Sequence, residues 1–289
     1  MRVRTALFGV LLFLQSALVL TGGAVRLTGS GLGCPTWPEC TPGSYTPVPH
    51  QAEGQLHAWI EFGNRLLTFA LLFSALAAVI YVLKSGRKDL RSLAAGQVLG
   101  IIGQGVLGGI TVLTDLHPLP VAGHLLLSMF LIAGATSLYS RRHEPHVKVS
   151  APTKTVSLLS QTHIAISFIV LILGTIVTGS GPHAGDEKAQ RFGFDIRSVA
   201  ILHADAVIFL MGLTIALLVA ASVTRSTKKV IYIFFAISLA QGGVGYAQYL
   251  TGIPELLVAI HLAGATIFWI AAWRIRLSVV RTSQQERDR

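Results

Sequence analysis

The chain has 289 residues, 52% of them hydrophobic and only 12% charged, with a net charge of +10. Soluble domains carry about 25% charged residues, so the composition excludes an ordinary soluble domain and points to a protein built into a bilayer. The basic excess would suit a nucleic-acid partner, but its placement along the chain assigns it to membrane topology and anionic lipid instead.

Eight apolar stretches follow in chain order, near 5–25, 57–83, 93–113, 121–140, 158–179, 198–222, 230–250 and 255–277. Each is long enough, as a helix rising about 1.5 Å per residue, to cross a hydrocarbon layer about 30 Å thick. None alternates as a barrel strand must. The expected fold is therefore all-α, with eight transmembrane helices. The first stretch follows "MRVR" and ends in small residues, as a secretory signal does. Its apolar run nevertheless exceeds the roughly 7 to 15 residues of a signal core, and it is read as a retained helix.

Between the stretches, basic residues alternate sides. With the N-terminus in the cytoplasm, 18 of the 23 Lys and Arg residues fall inside, from Arg2 and Arg4 through Lys148 to Arg287 and Arg289. Arg26, Lys188, Arg191 and Arg197 fall outside, and Arg65 lies within the second stretch. The positive-inside rule then predicts cytoplasmic termini in a multi-pass protein of the cell membrane.

The chain also repeats itself. "RLTGSGLG" (26–33) follows the first stretch and "IVTGSGPHAG" (176–185) the fifth, and "GQGVLGGITVLTDLHPLPVAGHL" (103–125) aligns with "AQGGVGYAQYLTGIPELLVAIHL" (240–262). The second alignment pairs Gln104 with Gln241 and His124 with His261 at a constant offset of 137. An even number of helices separates the copies, so they are parallel repeats, expected as two four-helix bundles spanning 1–145 and 146–289.

Histidines mark the even stretches: His57 on the second, His124 on the fourth, His203 on the sixth and His261 on the eighth, with His163 on the fifth outside the pattern. Imidazole in hydrocarbon is costly unless bonded. One histidine per helix at similar depth, as with His203 and His261, suits two axial nitrogens reaching a haem from opposite sides; hydrogen bonding to a neighbouring helix is the plainer alternative. In the first copy His124 matches His261, while an ungapped offset of 139 puts Asn64 where His203 stands. Helical rotation of about 100° per residue gathers His57, Glu61 and Asn64 on one face. Glu61 admits two readings, an ion pair with Arg65 at i+4 or a proton-handling or cation-stabilising group beside a reacting ligand. Ala200 takes its place in the second copy, so one site reads as structural and the other as chemical.

Cys34 and Cys40, the only cysteines, lie in "GCPTWPEC" on the expected outer side, where a disulfide is predicted. Two cysteines without a matching ligand cluster do not suit zinc.

Through "TGSGLGCPTWPEC", "IEFGNRLLT", "VAGHLLLSM", "LHAD" and "VAIHLAGA" the chain resembles the haem A synthases of bacterial membranes, relatives of the mitochondrial Cox15 proteins. "GCPTWPEC" with "EFGNR" looks like the actinobacterial form. The resemblance implies an oxidoreductase converting the C8 methyl of haem O to a formyl group through successive hydroxylations, making haem A for aa3-type terminal oxidases. It further implies a haem b on His203 and His261, the substrate haem iron on His124, and Glu61 as the residue needed for activity. His57, Asn64 and Arg65 are then expected to line the substrate site, and Cys34 and Cys40 match the family's outer-loop pair. Implied partners are a haem O synthase and a membrane electron acceptor. Asn64 departs from better-known members, which carry a second histidine there. The rival readings are a di-haem b-type electron-transfer protein, although no helix carries two histidines about 13 to 14 apart, and a proton-relaying transporter, which would call for discontinuous helices and an acid in both halves.

Overall fold

The structure, a computed structural model, describes residues 2–143, 153–187, 189–220 and 225–285. Lys148, Lys188, Arg287 and Arg289, the end of the sixth expected stretch and the expected 145/146 boundary lie outside the described residues. Eight helices follow in order: α1 (Arg2–Leu27), α2 (Gln55–Lys84), α3 (Arg91–Leu113), α4 (Pro118–Ser140), α5 (Lys154–Ser180), α6 (Ile196–Val219), α7 (Arg225–Leu250) and α8 (Glu255–Gln285). All eight are long and apolar enough to span a membrane, and among the described residues there is no strand beyond the isolated Thr41–Ser44 bridge. This is the eight-helix membrane fold that the apolar stretches predict.

The chain divides into two compact units. The first comprises Met1–Tyr139 together with Thr175–Ile196, and the second Ser140–Gly174 together with Arg197–Arg289. The last turn of α5 and the loop after it thus pack with α1–α4. Gly31 donates to the Gly185 carbonyl at 2.9 Å, and a side chain at Gly31 would press on Leu116 and on that carbonyl.

The 137-residue repeat extends to the backbone. α3 ends with Thr114 N–H bonding Ile110 O at 3.0 Å and Leu116 N–H bonding Thr111 O at 2.8 Å; α7 ends with Thr251 to Ala247 at 3.0 Å and Ile253 to Gln248 at 2.8 Å. Both turns carry two successive residues at positive φ, Asp115 (49°) and Leu116 (57°) in one, Gly252 (80°) and Ile253 (60°) in the other. Branched Ile253 is strained there. The Thr-Gly-Ser-Gly corner behaves differently: α1 stops at Leu27 and Gly29 turns the chain at φ 66°, whereas α5 runs on to Ser180 and Gly179 stays helical.

Packing is uneven along each bundle. In the first unit Phe8, Leu11, Leu71, Ala75, Ala78, Val82, Leu90, Ala94, Ile101, Leu131, Ala135 and Leu138 form one buried cluster. These positions all lie toward the end where α1 and α3 begin and α2 and α4 finish. Toward the other end, every residue of α4 from Val121 to Ser128 is only half-buried, and burial resumes at Met129. Helix α4 therefore keeps open surface on all faces over two turns. The second unit repeats this: α6 has no buried residue before Leu210, α7 none after Ser238 and α8 none before Gly264. Its sealed half is aromatic, with Phe168 against Trp269 and Phe234 against Phe268 at ring separations of 5.6 and 5.1 Å. The loosely packed halves hold His124, His203 and His261.

Candidate functional site

The N-terminal half of α2 is built around a loop. A Cβ at Gly33 would collide with the His57 carbonyl, so only glycine lets the loop backbone lie against α2. Contact at this point sets Cys34 beside Glu61, whose Oε2 accepts the Cys34 N–H at 2.7 Å. Glu61 Oε1 accepts from Arg65 Nε at 3.0 Å and Nη2 at 2.5 Å. The i+4 ion pair foreseen as the plain reading is present, with both side chains nearly sealed from solvent, 7% exposed for Glu61 and 14% for Arg65. Arg65 reaches further, donating to the Cys34 carbonyl at 2.9 Å and to the Thr36 and Glu39 carbonyls at 3.2 Å. Cys34 and Cys40 form the predicted disulfide. One guanidinium thus pins the disulfide ring of residues 34–40 onto α2, a role for Arg65 that sequence reasoning did not foresee.

Trp37 from the same loop was also missed. Its ring lies over the Arg65 guanidinium at 5.2 Å and against Gly109 of α3, where any side chain would strike the indole. His57 and Asn64 of α2 face α1 and the corner that follows it. His57 Nδ1 shares a hydrogen bond with Ser30 Oγ at 2.9 Å, and Asn64 Oδ1 accepts from Thr21 at 2.7 Å. His57 and Asn64 are therefore tied to separate partners.

The three remaining even-helix histidines share one mount. A Cβ built on Gly108 of α3 would lie 3.4 Å from His124 Cε1; on Gly174 of α5, 3.4 Å from His203 Cε1; on Gly245 of α7, 3.5 Å from His261 Cε1. In each case Nδ1 is the next nearest ring atom, at 3.8 to 4.0 Å. Each imidazole thus lays its Cε1–Nδ1 edge on a glycine of the preceding helix, where a methyl group would already be in van der Waals contact with the ring. Nδ1 of His124, of His203 and of His261 is sealed without a hydrogen bond. Nε2 of all three is absent from the sealed atoms and makes no hydrogen bond among the described residues. The fourth even helix follows the same plan: Gly22 of α1 backs Asn64 Nδ2 at 4.0 Å. Asn64 thus also backs onto a glycine of the preceding helix, at a looser contact than the three imidazoles.

In the second unit His203 and His261 lie within electrostatic reach of each other. Gln104 braces the first unit's seat by donating to the His124 carbonyl at 3.0 Å and to Ser128 Oγ at 2.7 Å. Its repeat partner Gln241 lies against Gly264, three residues beyond His261. His163 belongs to the packed half. It is fully buried, with Nε2 3.2 Å from Thr214 Oγ1 and its ring edge-on to Phe234 at 4.7 Å, so it serves as a core histidine.

Accessible, unbonded Nε2 atoms backed by sealed Nδ1 edges, facing loosely packed bundle halves, form a donor set suited to axial ligation of a haem iron. No group of three or more His, Cys, Asp or Glu side chains suited to a bare metal ion occurs among the described residues.

The chain is similar to known proteins named for haem A. The chain is 25% identical to the heme A synthase of Sinorhizobium fredii over 92% of its own length and 87% of that protein's. It is 30% identical to the heme A synthase of Shewanella oneidensis over 61% of its length and 55% of that protein's. With the heme A synthase of Geobacillus thermodenitrificans it shares 26% identity over 40% of its length and 35% of that protein's. Residues 5–185, which carry the disulfide loop, the Glu61–Arg65 pair and the first two glycine-backed seats, match the COX15-CtaA family, described as cytochrome oxidase assembly protein, and the chain belongs to that family.

Proposed function

We infer that this protein is a haem A synthase, a membrane oxidoreductase that converts haem O to haem A by oxidising a methyl substituent to a formyl group. The observation that carries the reading is the recurrence of one glycine-backed imidazole mount on three even helices, in a chain whose family and relatives are concerned with haem A. The oxidised carbon is the C8 methyl, taken to the formyl level by successive hydroxylations.

In this reading the first bundle, 1–145, receives haem O and the second, 146–289, holds a haem b. His203 and His261 ligate that haem b, which when bound supplies one-electron transfer. His124 ligates the iron of the substrate haem from one side. The opposite seat offers the amide of Asn64, held by Thr21, and so gives no strong axial nitrogen. A haem gripped from one side suits a substrate that enters and a product that leaves. Glu61 supplies a fixed negative charge, oriented by Arg65 and the Cys34 N–H, that balances positive charge developing on the reacting carbon. His57, Asn64 and Arg65 line the same region. The protein lies in the cell membrane with both termini cytoplasmic and the Cys34–Cys40 loop outside. A haem O synthase hands over the insoluble substrate and a membrane electron acceptor takes up the electrons.

The test is spectroscopic and chemical. Purified protein should show a low-spin b-type spectrum that His203→Ala and His261→Ala each abolish, and cells supplied with haem O should yield extractable haem A. An unchanged bis-histidine spectrum in both variants would remove the ligand assignment. A di-haem spectrum with no haem A formed would instead identify an electron carrier.

A further inference from the structure

We propose that Arg26 and Arg191 form a carboxylate-binding site for the propionate groups of the porphyrin that occupies the first unit. The proposal rests on the reading of that unit as the haem O site and adds the recognition of the substrate's acidic edge. Arg26 donates from Nε to the His183 carbonyl and from Nη2 to the Thr178 carbonyl at 2.9 Å. Arg191 donates from Nη2 to the Pro182 carbonyl and from Nη1 to the Ala189 carbonyl at 3.4 Å. Neither has a carboxylate partner among the described residues, unlike Arg65 and Arg87, which pair with Glu61 and Asp89. The two guanidinium groups are also close enough to repel each other. Two like charges brought together and met only by carbonyl dipoles are poised for an anion. A guanidinium offers five N–H donors, and Arg26 Nη1 makes no hydrogen bond.

The position suits the substrate. Arg26 Cγ lies against Gly185, which also meets Leu116. Leu116 forms a small buried apolar patch with Ala184 and Ala189, against which Leu32 and Val121 pack. Val121 precedes His124 by three residues, about 4.5 Å along the helix axis. A run of packed residues, Gly185, Leu116 and Val121, therefore links Arg26 to the helix turn that precedes the histidine seat. A porphyrin with its iron on His124 has an apolar body and one edge bearing two carboxylates. That edge matches the paired arginines, since guanidinium binds carboxylate in a bidentate, planar fashion.

Ferric haem and its dimethyl ester, which differ only in masking the two carboxylates, are the probes. Each is titrated into purified full-length protein that retains its second-unit haem, following the spectral change that depends on His124. Wild type should prefer the free acid by about 10- to 100-fold, the worth of one charge-assisted hydrogen bond. The Arg26→Gln/Arg191→Gln protein should bind the ester about as wild type does and lose most of that preference. Equal weakening of both probes would make Arg26 a clasp for the loop alone and overturn the proposal. So would an unchanged preference, including one accompanied by lost dependence on anionic lipid, which would assign the cations to headgroups. Arg191→Gln alone, on a more exposed side chain held only by loop carbonyls, should show a partial loss and guards against misfolding of the double variant. If neither probe binds wild type in a His124-dependent way, the haem O reading of the unit fails instead.

Discussion

Replacing Glu61 by Gln tests the carboxylate directly. Its two oxygens accept three hydrogen bonds, two from Arg65 and one from the Cys34 N–H. Glutamine has one acceptor oxygen. If that oxygen faces Arg65, the new NH2 confronts the Cys34 N–H, and if it faces Cys34, the NH2 confronts the guanidinium. The first pose loses the Cys34 bond and the second loses both Arg65 bonds, so at least one bond to a charged group, worth about 1.5–3 kcal/mol, is lost. Stripping one partner from a buried ion pair costs about 3–5 kcal/mol in full. Here Arg65 keeps the Cys34, Thr36 and Glu39 carbonyls, so the net loosening of the loop is about 2–4 kcal/mol. The helices do not depend on this pair, and the b-type spectrum of the second unit should persist. Removal of the charge from the reacting region should lower haem A formation by about 10²- to 10⁴-fold, with a hydroxylated intermediate accumulating. Arg65→Lys separates the two roles, because an ammonium retains the charge but cannot span three carbonyls and a carboxylate at once. It should loosen the loop with a smaller loss of product. The assay is haem extraction and chromatography from cells carrying a haem O source. A normal haem A yield from Glu61→Gln refutes the catalytic assignment, and equal losses in the two variants reduce Glu61 to a dock for the disulfide loop.

Gly245→Val should expel the second-unit haem or convert it to high spin, because a Cβ there already meets the His261 ring at 3.5 Å and the two further methyl groups crowd it. Gly243→Val on the same helix, with open space around it, should leave the spectrum intact, and equal spectra for the two would discard the seat. Cys34→Ser/Cys40→Ser opens a ring with a sequence separation of 6. It should lower the stability of the loop by about 2 kcal/mol, read as faster proteolysis of the loop at unchanged haem content. Proteolysis at the wild-type rate would show that Arg65 alone holds the loop.

Much of the architecture was legible because a bilayer imposes a simple rule: apolar runs of sufficient length must become helices, and Gln55–Lys84 or Pro118–Ser140 differ from the expected spans by only a few residues. The even-helix histidines stood out in the sequence because burying imidazole is costly. What supports them did not. Gly108, Gly174 and Gly245 are three among 29 glycines, and only the crossing of neighbouring helices shows which of them faces a ring. The Arg65 web was hidden for another reason. Its acceptors are backbone carbonyls of the loop, which carry no sequence signature, so the pair with Glu61 was visible at i+4 and the anchoring of the loop was not. The Thr-Gly-Ser-Gly corners mislead if taken as equal structures. The first must turn early to bring Gly33 against α2, while the second is free to continue its helix.

The uneven packing of the bundles bears on the order of events in the life of the protein. Because the interlocked side chains occupy one half of each unit, the folding free energy is concentrated there, and the histidine-bearing half adds little to it. The chain is therefore competent to fold in the membrane before any tetrapyrrole arrives. On the proposed assignment of the substrate to the first unit, product can leave without dismantling it, and the same scaffold is ready for the next substrate molecule. A protein whose core were completed by its porphyrin would have to loosen at every turnover; this one separates what keeps it folded from what passes through it.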